Sequence, residues 1–234
     1  MSSRKSVVFF GVYVTLLLAF FILWQLFFNE VSYYVPCAVL IVFSMLLMFF
    51  KFEKRKSSAR EITLTASLVA IAVASRAVFY LIPQVKPIAA VVIISAVCLG
   101  AERGFIVGAL SAFVSNFIFG QGPWTPFQML ALGAVGLISG LLLKKKHSRV
   151  SLSLVGFALS FALYGLIVDL STVLMTYGSN ITLHGMLSVY AAGAPFSAVF
   201  GVTTAVFLFL FGEPFISKIS RVIKKYNIIE NNGV

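Results

Sequence analysis

Residues 61–82 read EITLTASLVAIAVASRAVFYLI. The run opens on Glu61, carries one further charge at Arg76, and stops at Pro83, which a helix cannot pass without losing a hydrogen bond. As a helix its 22 residues cover ~33 Å at ~1.5 Å per residue, enough for a hydrocarbon core of ~30 Å. Ala66, Ala70 and Ala74 recur every fourth position, with Ala72 and Ala77 nearby. Small residues at that spacing line one helix face and admit a second helix backbone. The stripe serves either packing within the chain or docking of a separate membrane subunit.

The rest of the chain agrees with a lipid solvent. Of 234 residues 60% are hydrophobic and only 11% charged, too few charges to cover a soluble domain. Long apolar runs fall at 7–28, 33–50, 61–82, 88–99, 104–119, 127–143, 150–175 and 186–211, the fourth being short. Residues 7–28 exceed the ~7–15 residues of a signal-peptide core and meet no small-x-small cleavage site, so they read as a retained span. Cys37 and Cys98 both lie inside apolar runs and read as small buried hydrophobes.

The net charge of +11 does not mark a nucleic-acid binder, because the basic residues sit in short linkers between spans. With the amino terminus in the cytoplasm, one side of the membrane collects Arg4, Lys5, Lys51, Lys54, Arg55, Lys56, Arg60, Arg103, Lys144, Lys145, Lys146, Arg149, Lys218, Arg221, Lys224 and Lys225. Only Arg76 and Lys86 of the 18 Lys and Arg fall toward the other side. Cytoplasmic loops accumulate Lys and Arg, so both termini are expected on the cytoplasmic side of the cell membrane. The expected fold is all-α, a polytopic transmembrane bundle. It divides into a two-helix hairpin with a basic linker (1–60), a six-helix core (61–212) and a basic amphipathic tail (213–234).

Candidate binding residues concentrate on the outer half of the core. Arg76 and Asp169 are ionisable groups within spans, costly in lipid unless paired or facing a wet cavity. A mutual pair would satisfy both, and snorkelling to the headgroups is the alternative for Arg76. The segment from Asn116 to Gln128 holds two glycines and two prolines that break a helix, with Asn116, Gln121, Thr125 and Gln128 as hydrogen-bonding groups and Trp124 as a flat face. Irregular backbone at that depth is tolerated where it lines a cavity. Lys86, in Pro83-Gln84-Val85-Lys86-Pro87, and Tyr177, ahead of Gly178-Ser179-Asn180, supply two further polar loops. Together these loops are expected to roof one outward-facing pocket.

What is missing narrows the function. No P-loop, no metal-ligand spacing and no acidic pair for general acid–base work occurs, and the spans lack the carboxylate chain of a proton pump. No catalysis, metal or cofactor is expected, and uptake by this chain would draw its energy from elsewhere.

The six-span core, its alanine-striped first helix and the run Gly120-Gln121-Gly122-Pro123-Trp124-Thr125-Pro126 resemble the substrate-binding S-components of energy-coupling factor (ECF) transporters. Residues 83–87 through Gly100-Ala101-Glu102-Arg103-Gly104 add to the likeness, which covers about residues 60–211; the hairpin departs from the usual six-helix pattern. The resemblance implies a vitamin captor working with a transmembrane T-component and two cytoplasmic ATPases. It places Ala66, Ala70 and Ala74 at the contact with the T-component and the substrate under the outer loops. Among the branches of the family the sequence looks most like those assigned to cobalamin, with riboflavin and queuosine precursors as alternatives. The competing classes are an intramembrane enzyme using Arg76 and Asp169, and a non-transporting membrane subunit.

Overall fold

A computed structural model describes residues 34–53, 58–143 and 148–228. The described residues form seven continuous helices: α1 Tyr34–Glu53, α2 Ala59–Val78, α3 Ile88–Leu99, α4 Ala101–Phe119, α5 Thr125–Leu142, α6 Arg149–Tyr177 and α7 Leu183–Lys225. Five of them, α2 and α4 to α7, are long and apolar enough to cross a membrane. The expected span at 7–28, most of the linker that follows α1, and Lys144 to Lys146 lie outside the described residues.

The short helix α3 explains its own length. Ile88, Ala89, Ala90, Val92, Ile93, Ile94, Ser95, Ala96 and Leu99 are all buried, and α3 packs on every helix from α2 to α7. A helix wrapped by protein on all sides has no need to match the bilayer. Gly100, at φ +95°, turns α3 directly into α4, a backbone conformation that only glycine adopts without strain.

Helices α4 and α5 make the closest approach in the bundle. A Cβ on Gly136 would stand 2.1 Å from the Gly104 carbonyl oxygen, and one on Gly108 would stand 2.2 Å from that of Leu132. The Gly104/Gly108 and Gly136/Gly140 pairs are therefore internal packing surfaces, where backbones meet in van der Waals contact.

Three boundaries differ from the sequence reading. Helix α2 ends at Val78, not at Ile82, because Pro83 offers no amide hydrogen and disfavours helical backbone in the residue before it. Residues 79–85 instead form successive turns, with Gln84 at φ 59°. The tail is no separate element: α7 continues through a π-helical segment, Leu208–Gly212, into Glu213–Lys225. Arg103 is not a loop charge. It sits in the first turn of α4, buried, ion-paired with Glu61 of α2 and donating to the Leu99 carbonyl at 2.7 Å.

That pair marks a basic end of the bundle. There Arg149 of α6 meets Glu213 of α7 at 2.6 Å, and Arg60 donates to the Tyr226 carbonyl at 2.8 Å, tying the tail to the start of α2. Arg76 lies 15 residues further along α2, roughly 22 Å away at ~1.5 Å per residue. The opposite end of the bundle carries the cavity.

Candidate functional site

A cavity of about 240 Å³ opens at that end between α2, α5, α6 and α7. Four of the residues expected in a pocket lie on its wall: Arg76, Lys86, Gln128 and Asp169. Ionisable side chains at this depth are costly unless the walls keep them wet or hydrogen-bonded.

Arg76 is held by a relay of polar side chains. Its Nη1 donates to Ser115 Oγ at 2.6 Å and to Asn116 Oδ1 at 2.9 Å, and its guanidinium carbon stands 4.6 Å from the centroid of the Phe119 ring. Asn116 is 1% exposed and spends both amide hydrogens, on Thr125 Oγ1 at 3.2 Å and Gln128 Oε1 at 2.8 Å. Thr125 in turn donates to Gln121 Oε1 at 2.9 Å and accepts from the Gly122 amide at 3.2 Å. Arg76 Nε is buried and has no hydrogen-bond partner among the described residues.

Asp169 faces the same cavity, yet it forms no ion pair with Arg76 among the described residues. Its carboxylate lies against α7 where Gly193 stands. A Cβ there would come within 2.4 Å of Asp169 Oδ2, so glycine makes the room. One turn earlier a Cβ on Gly165 would meet Ser197 Oγ at 2.6 Å, which sets α6 close against α7 along the cavity floor. Lys86, in the loop before α3, titrates below its ordinary 10.5, first because burial disfavours its charge and second because of the positive charge of Arg76.

The other expected residues fall behind or beside the wall. Asn116, Gln121 and Thr125 orient Arg76 and Gln128 from behind. Trp124 does not reach the cavity. Its ring folds back over Gly122, where a Cβ would stand 2.5 Å from the indole carbons, and it is 38% exposed. Tyr177 ends α6 with its ring against Gly185, also off the wall. Of the three expected segments, the first lines the cavity with Gln84 and Lys86, the second with Gln128, which belongs to α5, and the one after Tyr177 with none.

The aromatic side of the cavity escaped the sequence reading. Tyr164, Phe196 and Phe200 line it, with the Tyr164 and Phe200 ring centroids 4.6 Å apart. Nothing in α6 or α7 singles these rings out among the 24 Phe and 8 Tyr of the chain. Tyr164 closes the π-helical segment Leu159–Tyr164, and such segments shift the register of every residue that follows.

The family model described as ECF-type riboflavin transporter, S component, matches residues 56–215. The chain belongs to this family. It is therefore a multi-pass membrane protein and a transporter subunit, not an enzyme. ECF S-components bind a vitamin and partner with a T-component and ATPases. No curated protein and no solved structure matches the chain. The matched family corrects the cobalamin reading. The run at 120–126 that carried much of the likeness builds a turn and the start of α5 outside the cavity lining, so it reports how the core folds and not what the cavity holds.

Proposed function

We propose that this S-component captures riboflavin in the cavity bounded by Arg76, Lys86, Gln128 and Asp169 and delivers it to a T-component coupled to two cytoplasmic ATPases. The observation that carries this reading is that one cavity is lined by both aromatic rings and hydrogen-bonding groups. Tyr164, Phe196 and Phe200 offer apolar faces to a flat tricyclic ring system, and Arg76, Gln84, Gln128 and Ser197 offer polar groups to ring carbonyls and chain hydroxyls. The volume of about 240 Å³ lies below the ~300–1,000 Å³ common for small-molecule sites, which favours a flavin over the much bulkier corrinoid macrocycle.

The alanine stripe fits the role of docking face. Ala66, Ala70 and Ala74 are all exposed, while Leu68, Val69, Ala72 and Val73 on the other side of α2 are buried. With residues 61–212 as the binding core and 1–60 as an accessory unit, the positive-inside rule directs the basic end of the bundle to the cytoplasm and the cavity outward. An importer gathers its cargo from that side.

Titrating the purified full-length protein with riboflavin and following quenching of flavin fluorescence tests the reading. Saturable quenching, not displaced by cobalamin or a queuosine precursor, is expected. Binding of either competitor with no response to riboflavin would overturn the assignment of the cargo.

A further inference from the structure

Helix α1 lies outside the residues matched by the family model. It packs across α4 and α5 and is seated at two points. Toward its middle, buried Met45 joins a cluster with Phe105, Ile106 and Ala109. At its amino-terminal end the Tyr34 hydroxyl donates to the Pro123 carbonyl, and the Tyr34 ring lies 5.9 Å from that of Phe127, centroid to centroid.

Both contacts of Tyr34 fall where α4 passes into α5, Pro123 in the turn and Phe127 in the first turn of α5. Pro123 belongs to a turn that opens on Gly120 at φ +103°, a backbone conformation that favours glycine. The turn is closed by a bond from the Thr125 amide to the Gly122 carbonyl at 2.9 Å. Thr125 and Gln128, immediately downstream, hold Asn116 and through it Arg76. Phe127, between them, is 1% exposed.

We propose that Tyr34 is a positioning residue for the substrate site: it clamps the turn at 120–124 to α1 and thereby holds the relay that orients Arg76 and Gln128. The proposal rests on the reading of the cavity as the flavin site. A tyrosine suits the task because its rigid ring packs on Phe127 while its hydroxyl reaches a backbone carbonyl. Within the turn, the side chain of Gln121 donates to the Phe113 carbonyl of α4 and accepts from Thr125 of α5, and Tyr34 adds a tie to a third helix, α1.

The variant Tyr34→Phe keeps the ring and removes the hydroxyl alone. In the full-length protein in nanodiscs, amide hydrogen exchange at 120–124 is expected to quicken about fivefold, the worth of one ordinary hydrogen bond. Riboflavin is expected to dissociate faster by a similar factor with its association rate unchanged. Exchange within α3 should not move, whereas a general loosening of the bundle would quicken it there as well. Unchanged exchange in the turn overturns the clamp, and faster exchange with unchanged dissociation overturns its positioning role. Should the wild-type protein bind no riboflavin, the flavin reading falls, and the exchange rate in the turn decides the clamp by itself.

Discussion

Asn116 is the joint of the site, and replacing it with alanine isolates what the polar relay contributes. The side chain is 1% exposed and makes three hydrogen bonds, accepting from Arg76 and donating to Thr125 and Gln128. Thr125 keeps its bonds to Gln121 and Gly122 after the change, so its loss is small. Arg76 keeps Ser115 but loses one of its two acceptors, and a hydrogen bond to a charged group contributes about 1.5–3 kcal/mol. Arg76 and Gln128 both face the cavity, so most of that loss is expected to appear in ligand binding. At ~1.4 kcal/mol per factor of ten, riboflavin affinity should fall by one to two orders of magnitude. Fluorescence titration of Asn116→Ala beside the wild type measures it. Asn116→Asp retains an acceptor for Arg76 but lacks the two amide donors, and separates the contribution of Arg76 from that of Gln128. Affinity of Asn116→Ala within threefold of wild type would refute the reasoning, since the relay would then not govern the wall it holds.

Replacing Ala70 with Trp should abolish uptake in cells that carry the T-component and ATPases while leaving flavin binding by the isolated protein intact; lost binding would refute the docking assignment. Gly136→Ala forces a methyl group to 2.1 Å from the Gly104 carbonyl, and overpacking of this kind costs ~1–3 kcal/mol. Its thermal midpoint should drop well below that of a control at Leu141, which is 65% exposed, and equal midpoints would contradict the close packing of α4 on α5. Lys86 titrates below 10.5 in the folded protein, so its charged form costs stability at neutral pH and the cost is relieved as pH rises through its folded value toward 10.5. The thermal midpoint of Lys86→Met should therefore exceed that of wild type at pH 7 by a margin that narrows toward pH 10; a constant margin would count against the burial of the ammonium.

Hydropathy and charge placement made the helical membrane fold legible, because lipid imposes long apolar runs and an uneven distribution of Lys and Arg. The cost of charge in lipid likewise marked Arg76 and Asp169, and both line the cavity. Trp124 and Tyr177, expected in the pocket by the same style of reasoning, lie off the cavity lining, since an aromatic group beside a glycine-rich turn can fold back onto the turn as readily as it can face a cavity. Arg103 was read by its position near a span end, but its environment depends on Glu61, 42 residues earlier in the chain.

What the sequence determined by itself is whatever the solvent enforces along a single helix: the existence of spans, the charge asymmetry between their ends, and the alanine and glycine stripes that let helices approach. Tertiary structure alone decided which groups share a cavity. Arg76, Gln128, Asp169, Tyr164 and Phe200 come from α2, α5, α6 and α7, and their meeting depends on helix rotation, on the π-helical shift at Leu159–Tyr164 and on glycines at 165 and 193 that set two backbones close together. Rotation and register are settled by packing between helices, and a periodicity read along one helix holds no record of its neighbours.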